Sequence, residues 1–124
     1  METRIRITIG GALLTAERNE SKVARALRKN LPAEIRMSRW GDEYYGSIAV
    51  GMQAESGERD ELSVGEIAYW PPGDALCLFF GPTPASIGDE PRAASDIVPL
   101  GRIESGVEKL SALPGSVTAR IELD

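Results

Sequence analysis

Gly65-Glu66-Ile67-Ala68-Tyr69-Trp70-Pro71-Pro72-Gly73-Asp74-Ala75-Leu76-Cys77-Leu78-Phe79-Phe80-Gly81-Pro82-Thr83-Pro84 places two short apolar runs on either side of a Pro-Pro-Gly turn. Each run is too short for a helix, so the segment reads as a β-hairpin whose loop carries aromatic side chains to one edge of a sheet. Trp70 precedes Pro71 and is therefore confined to extended backbone, which fixes where its ring leaves the chain. Both phenylalanines and the single cysteine lie in this stretch. It points to a fold and a candidate pocket, not to a substrate.

Upstream, Ile5, Ile7 and Ile9 alternate with basic or polar residues, and Gly10-Gly11 separates them from Ala12 to Ala16. This is the pattern of a hairpin with a two-glycine turn. Val23, Ala26 and Leu27 then recur at helical spacing, predicting a helix over Glu20 to Lys29, capped by Asn19 and stopped by Pro32. Strands are expected at Glu34 to Arg39 and Tyr44 to Val50, joined by the turn Gly41-Asp42-Glu43. Gln53 to Leu62 reads as a polar surface loop, and Pro82 to Ser95 as a long loop without periodicity.

Downstream, Ile97 to Ile103 forms a strand in which Pro99 implies an edge or a bulge. Ser105-Gly106-Val107-Glu108 has the spacing of a capping box, predicting a second short helix to Leu113. Val117, Ala119, Ile121 and Leu123 alternate with polar residues in a last strand. Two short helices among about eight strands, without strand-helix-strand alternation, predict a mainly β fold: a closed antiparallel barrel with helices capping its ends.

A chain of 124 residues reads as one domain that buries a core without a disulfide staple. The net charge of −5 repels a polyanion, so no nucleic acid partner is expected. The charged start Met1-Glu2-Thr3-Arg4-Ile5-Arg6 lacks the apolar centre of a signal peptide and no run reaches membrane-spanning length, so no membrane partner and a cytoplasmic location are expected. The lone Cys77 reads as a small buried hydrophobe. Histidine is absent, which excludes Cys-His and Ser-His nucleophilic systems and imidazole metal ligation. Asp89, Glu90 and Asp96 lack the dense spacing of a calcium loop, and neither a metal nor another cofactor is expected. Asp42 and Glu43 are adjacent carboxylates that an extended segment points to opposite faces, poorly placed to share a proton.

Tyr69-Trp70-Pro71-Pro72-Gly73, Ala75 to Gly81, Thr83-Pro84, Trp40-Gly41-Asp42-Glu43 and Leu100 to Leu110 together resemble the cyclophilin fold, most closely small prokaryotic cyclophilin-like proteins of about this length. The resemblance implies one cyclophilin-like domain over residues 1–124, an eight-stranded barrel with two helices, and no particular biochemical role. Active cyclophilins rotate the X-Pro bond, whose barrier is roughly 20 kcal/mol, by seating the proline ring in an apolar pocket and aiming an arginine at the amide. The positions matching their arginine, phenylalanine and glutamine are Arg39, Tyr44 and Ser47. Phe80 falls at a pocket-lining position, Tyr69 replaces an asparagine, Pro71-Pro72 replaces glycine-proline, and Ile97 stands where a histidine would.

Half of that constellation is missing, so the expected function is a non-catalytic binding module for a peptide or small ligand. Arg39, Tyr44, Tyr69, Trp70 and Phe80 are its candidate ligand-binding residues, and no catalytic residue is assigned. Arg39 beside Trp40 reads either as a cation stacked on an indole or as a surface strand residue in a salt bridge. The alternatives are a weak peptidyl-prolyl isomerase, a component of an amide-hydrolysing system, or a homodimer whose second copy covers the aromatic rim.

Overall fold

The computed structural model describes residues 3–124; Met1 and Glu2, part of the charged start read above, lie outside the described residues. The strands are β1 Arg4–Ile9, β2 Ala12–Arg18, β3 Ala33–Arg39, β4 Glu43–Ser47, β5 Arg59–Glu61, β6 Glu66–Trp70, β7 Ala75–Phe79, β8 Arg92–Ser105 and β9 Ser116–Leu123. One α-helix, α1 Lys22–Lys29, and two 3-10 helices, Pro71–Gly73 and Val107–Ala112, complete the described elements. Strands pair antiparallel in the order β2-β1-β9-β3-β4-β7-β6-β8, and β2 pairs again with β8, so the ring closes through eight strands. Closure matters because it leaves the ring strands without a free edge.

The two-residue period explains what the ring holds. Ile5, Ile7 and Ile9 of β1 and Val117, Ala119 and Ile121 of β9 point inward, where they meet Leu14, Met37, Tyr44, Leu76 and Leu78. Gly10 and Gly11 carry φ of +55° and +86°, the left-handed pair that a two-residue turn between Ile9 and Ala12 requires. Val23, Ala24 and Leu27 of α1 and Leu110 of the second 3-10 helix join the same cluster. α1 follows the Arg18 end of β2, whereas Leu113 packs by the Gly10 turn, so the two helices cover opposite ends of the ring.

Local departures from the sequence reading have physical causes. Ser21, not Asn19, caps α1 by accepting the Ala24 N–H at 3.1 Å. Asn19 accepts the Ser21 N–H and donates its side-chain amide to the Pro99 carbonyl, tying the helix entry to β8. The capping box does not form: the Ser105 hydroxyl lies 2.6 Å from that of Thr15, and Gly106 occupies the cap with φ of +94°, leaving a 3-10 helix with no side-chain cap. Pro99 sits at a bulge, since Ile67 and Ala68 pair with Gly101 and Pro99 and skip Leu100.

The expected polar loop over residues 53–62 contains β5, which pairs with the first half of β8. That half of β8 begins at Arg92 rather than Ile97, because Arg92 is held by Asp60, Glu61 and Glu90 at 2.8, 3.3 and 3.0 Å. Ala93 and Ile97 from this overhang pack with Leu62 onto Ala68, Ala75, Cys77 and Phe79, forming a second, smaller core on the outer face of β6 and β7. β7 is therefore buried on both faces, which is why its sequence is a continuous apolar run.

Candidate functional site

Arg39 ends β3 directly opposite Tyr44 in β4. Its guanidinium carbon lies 5.0 Å from the Phe80 ring centre and 5.9 Å from that of Tyr44, and the two rings stack at 5.8 Å and 19°. The nitrogens are already engaged. Nε donates to the Gly41 carbonyl at 2.8 Å, Nη1 to the carbonyls of Ser111 and Leu113 at 3.0 and 3.2 Å, and Nη2 to Asp42 Oδ1 at 2.8 Å. Tyr44 is fully buried and its hydroxyl donates to the Pro114 carbonyl. The cation stacks on Phe80 and Tyr44, not on Trp40 as its neighbour in sequence suggested.

Tyr69 and Trp70 do not share a rim with this trio or with each other. Adjacent strand residues point to opposite faces, so Tyr69 enters the ring interior and Trp70 leaves it. Tyr69 donates its hydroxyl to Asp74 Oδ1 at 2.5 Å and accepts the Met52 N–H at 3.2 Å; burial, then Asp74, pushes its ionisation above the ordinary tyrosine range. Trp70 donates its indole N–H to Ser95 Oγ at 2.7 Å. Its six-membered ring lies over Gly73, where a Cβ would stand 2.8 Å from Cε3. Ser47 is exposed and Ile97 is buried in the outer core.

The outer face holds a different constellation. Trp40, Glu43, Tyr45, Trp70, Ala93 and Ala94 line a cavity of about 300 Å³ between the barrel wall and the β8 overhang. Glu43 is 5% exposed, and its Oε1 is buried without a hydrogen-bond partner. Burial raises its pKa from 4.5 to about 7, with hydrogen bonding from the Cys77 thiol opposing the shift. Cys77 itself is pushed well above the thiol range, first by burial and then by the Glu43 charge. Glu43 therefore exchanges its proton near neutrality: protonated it is a hydrogen-bond donor, ionised it is an anion beside aromatic walls.

The closed ring, the Trp-Pro-Pro-Gly hairpin and the capped ends fit one family. A family model for cyclophilin-like proteins matches residues 3–122. The chain belongs to the cyclophilin-like family. A solved relative is the hypothetical protein AF2241 from Archaeoglobus fulgidus, whose solution structure is similar with a TM-score of 0.84 at 35% identity, covering 99% of this chain and 95% of that one. No curated protein matches the sequence.

In this cyclophilin-like chain the residue that spacing alone does not promote is Glu43. The opposite-face argument for Asp42 and Glu43 describes their directions well: Asp42 turns to Arg39, and Glu43 turns to the outer cavity. The available signal was parity, because an inward Tyr44 forces Glu43 and Tyr45 outward together. Glu90 is directed at its own loop, accepting the N–H groups of Ile87 and Gly88. Among the described residues no group of three or more His, Cys, Asp or Glu is placed to hold a metal ion, and no helix is long and apolar enough to cross a membrane.

Proposed function

We propose that this cyclophilin-like protein is a non-catalytic binding module whose site is the outer-face cavity, taking an apolar group of a small ligand or of a peptide. The cavity lined by Trp40, Tyr45 and Trp70 with Glu43 among them carries this reading: apolar walls with one convergent polar group are the usual composition of a ligand pocket. Trp70, one of the five candidates, belongs to this site. The arginine that an isomerase would aim at a substrate amide is bonded to backbone carbonyls and to Asp42, which favours binding over catalysis.

Both tryptophans of the chain line the cavity, so indole fluorescence and the indole N–H resonances report its occupancy. Titration with benzamide and with N-acetylproline methylamide is expected to move the Trp40 and Trp70 signals. Ala94→Phe, at the exposed rim, is expected to abolish that response. Shifts spread evenly over the surface, or unchanged by Ala94→Phe, would overturn the proposal.

A further inference from the structure

We infer that the outer-face cavity selects an alkylated ammonium group, its positive centre held among the Trp40, Tyr45 and Trp70 rings and against the Glu43 carboxylate. This rests on the reading of the cavity as a binding site and adds the charge and class of the ligand. Glu43 lines the cavity and has one buried carboxyl oxygen with no hydrogen-bond partner, an arrangement that leaves its ionised form short of a counter-charge. Among the described residues no arginine or lysine lines the cavity, and the cations of β3, β5 and the start of β8 are paired elsewhere: Arg39 to Asp42, Arg59 to Glu66, and Arg92 to Asp60, Glu61 and Glu90. A ligand cation supplies what the protein does not.

The walls favour the same class. Among the described residues, ring stacking and cation–π contacts are confined to Arg39, Tyr44 and Phe80, so the rings of Trp40, Tyr45 and Trp70 are neither stacked on one another nor covered by an internal cation. Aromatic faces attract a cation most strongly when it is weakly hydrated, which describes an alkylated ammonium better than a metal ion or a bare amine. One carboxylate without a ligand cluster also makes a poor metal site. At about 300 Å³ the cavity is at the small end of ligand pockets and matches a head group rather than an extended segment. Trp70 is set in place beforehand by its Ser95 hydrogen bond and by Gly73 beneath its ring, so little ordering accompanies binding.

Coupling to protons follows. A cation stabilises ionised Glu43, so binding releases the proton that burial retains near pH 7, and affinity rises with pH until Glu43 is ionised in the free protein. The groups facing Glu43 do not titrate in that range. Cys77 on β7 is held well above it, β6 presents Trp70, and the overhang presents Ala93 and Ala94.

The test compares choline with its uncharged isostere 3,3-dimethylbutan-1-ol, read by indole fluorescence and by the Trp40 and Trp70 N–H resonances. Choline is expected to bind about tenfold more tightly than the alcohol. Its affinity is expected to rise about tenfold from pH 6 to pH 8, and Glu43→Gln is expected to remove the pH dependence and to reduce the preference to what the aromatic walls alone supply. A parallel arm with N-acetyl-trimethyllysine methylamide separates a free small cation from a methylated side chain, and tighter binding of either supports the inference. Equal binding of choline and the alcohol, or a silent choline with responsive benzamide, overturns the ammonium assignment and leaves the binding site standing. Silence of choline, the alcohol and both amides overturns the assignment together with the site.

Discussion

The Arg39 guanidinium stacks 5.0 Å from the Phe80 ring while its Nη1 holds the carbonyls of Ser111 and Leu113, so one side chain fastens the second 3-10 helix over the end of the barrel. That segment has no side-chain cap of its own, and Arg39 takes the role at its C-terminal end. Arg39→Ala is expected to cost about 2–3 kcal/mol of stability in urea unfolding, the range for losing charged hydrogen bonds that are only partly solvated. Arg39→Lys is expected to recover little, because an ammonium cannot span the same fork of acceptors. A loss below about 0.5 kcal/mol, the scatter of ordinary surface substitutions, would contradict the fastening role.

Prolyl isomerisation is a separate test of the same residue. With Arg39 bonded inward and Tyr44 fully buried, the cis-trans exchange of a proline-containing test peptide is expected to proceed at its uncatalysed rate at high protein concentration. Acceleration that disappears in Arg39→Ala would restore the isomerase reading and displace the outer cavity as the functional centre.

Glu43 imposes a pH dependence whose sign is fixed. Its folded pKa of about 7 lies above the ordinary 4.5, so the folded state retains a proton that the unfolded chain releases between these values. The favourable term is complete below about pH 4.5, declines as pH rises, and is gone above about pH 7. Glu43→Gln is expected to leave stability unchanged near pH 4 and to raise it by about 3 kcal/mol at pH 8, measured by urea unfolding at the two pH values. An equal effect at both would mean that Glu43 ionises normally.

The ring was legible because its evidence is periodic and local: Ile5, Ile7 and Ile9, the Gly10-Gly11 turn and the alternating last strand each declare themselves within a few residues. β5 was not, since Arg59-Asp60-Glu61 has no apolar face and becomes a strand only by pairing with Arg92 and Ile97 far along the chain. The site divides the same way. The resemblance to cyclophilins brought Arg39, Tyr44 and Phe80 together, but a resemblance does not tell an end-closing trio from a binding one. The outer cavity depends on the overhang of β8, a tertiary arrangement that leaves no mark on the Glu43 segment itself.

Gly73 gives a way to disturb the cavity while leaving the barrel interior untouched. A Cβ at this position would stand 2.8 and 2.9 Å from Trp70 Cε3 and Cζ3, so the indole must shift, while Gly73 itself is exposed. Gly73→Ala is expected to change the Trp70 emission and its indole N–H resonance and to weaken benzamide binding several-fold, with stability altered by less than about 1 kcal/mol. An unmoved Trp70 signal would place its ring elsewhere.

Glu90 organises the loop that leads into the β8 overhang. Its carboxylate accepts the N–H groups of Ile87 and Gly88 at 2.8 Å each and the Arg92 Nε–H at 3.0 Å. Those backbone bonds, Ile87's first, lower its pKa from 4.5 to about 2. A depressed carboxylate contributes fully above the unfolded value near 4.5 and is lost as pH falls through about 2. Ile87 is 88% exposed, so its N–H owes its protection to the bond it donates to Glu90. Hydrogen-exchange protection at Ile87 and Gly88, corrected for the intrinsic rate, is expected to hold from about pH 6 to pH 4, to fade on approach to pH 2, and to vanish at every pH in Glu90→Ala. Protection already lost near pH 4 would mean that Glu90 titrates as an ordinary carboxylate, and protection that survives Glu90→Ala would mean that the turn does not depend on it.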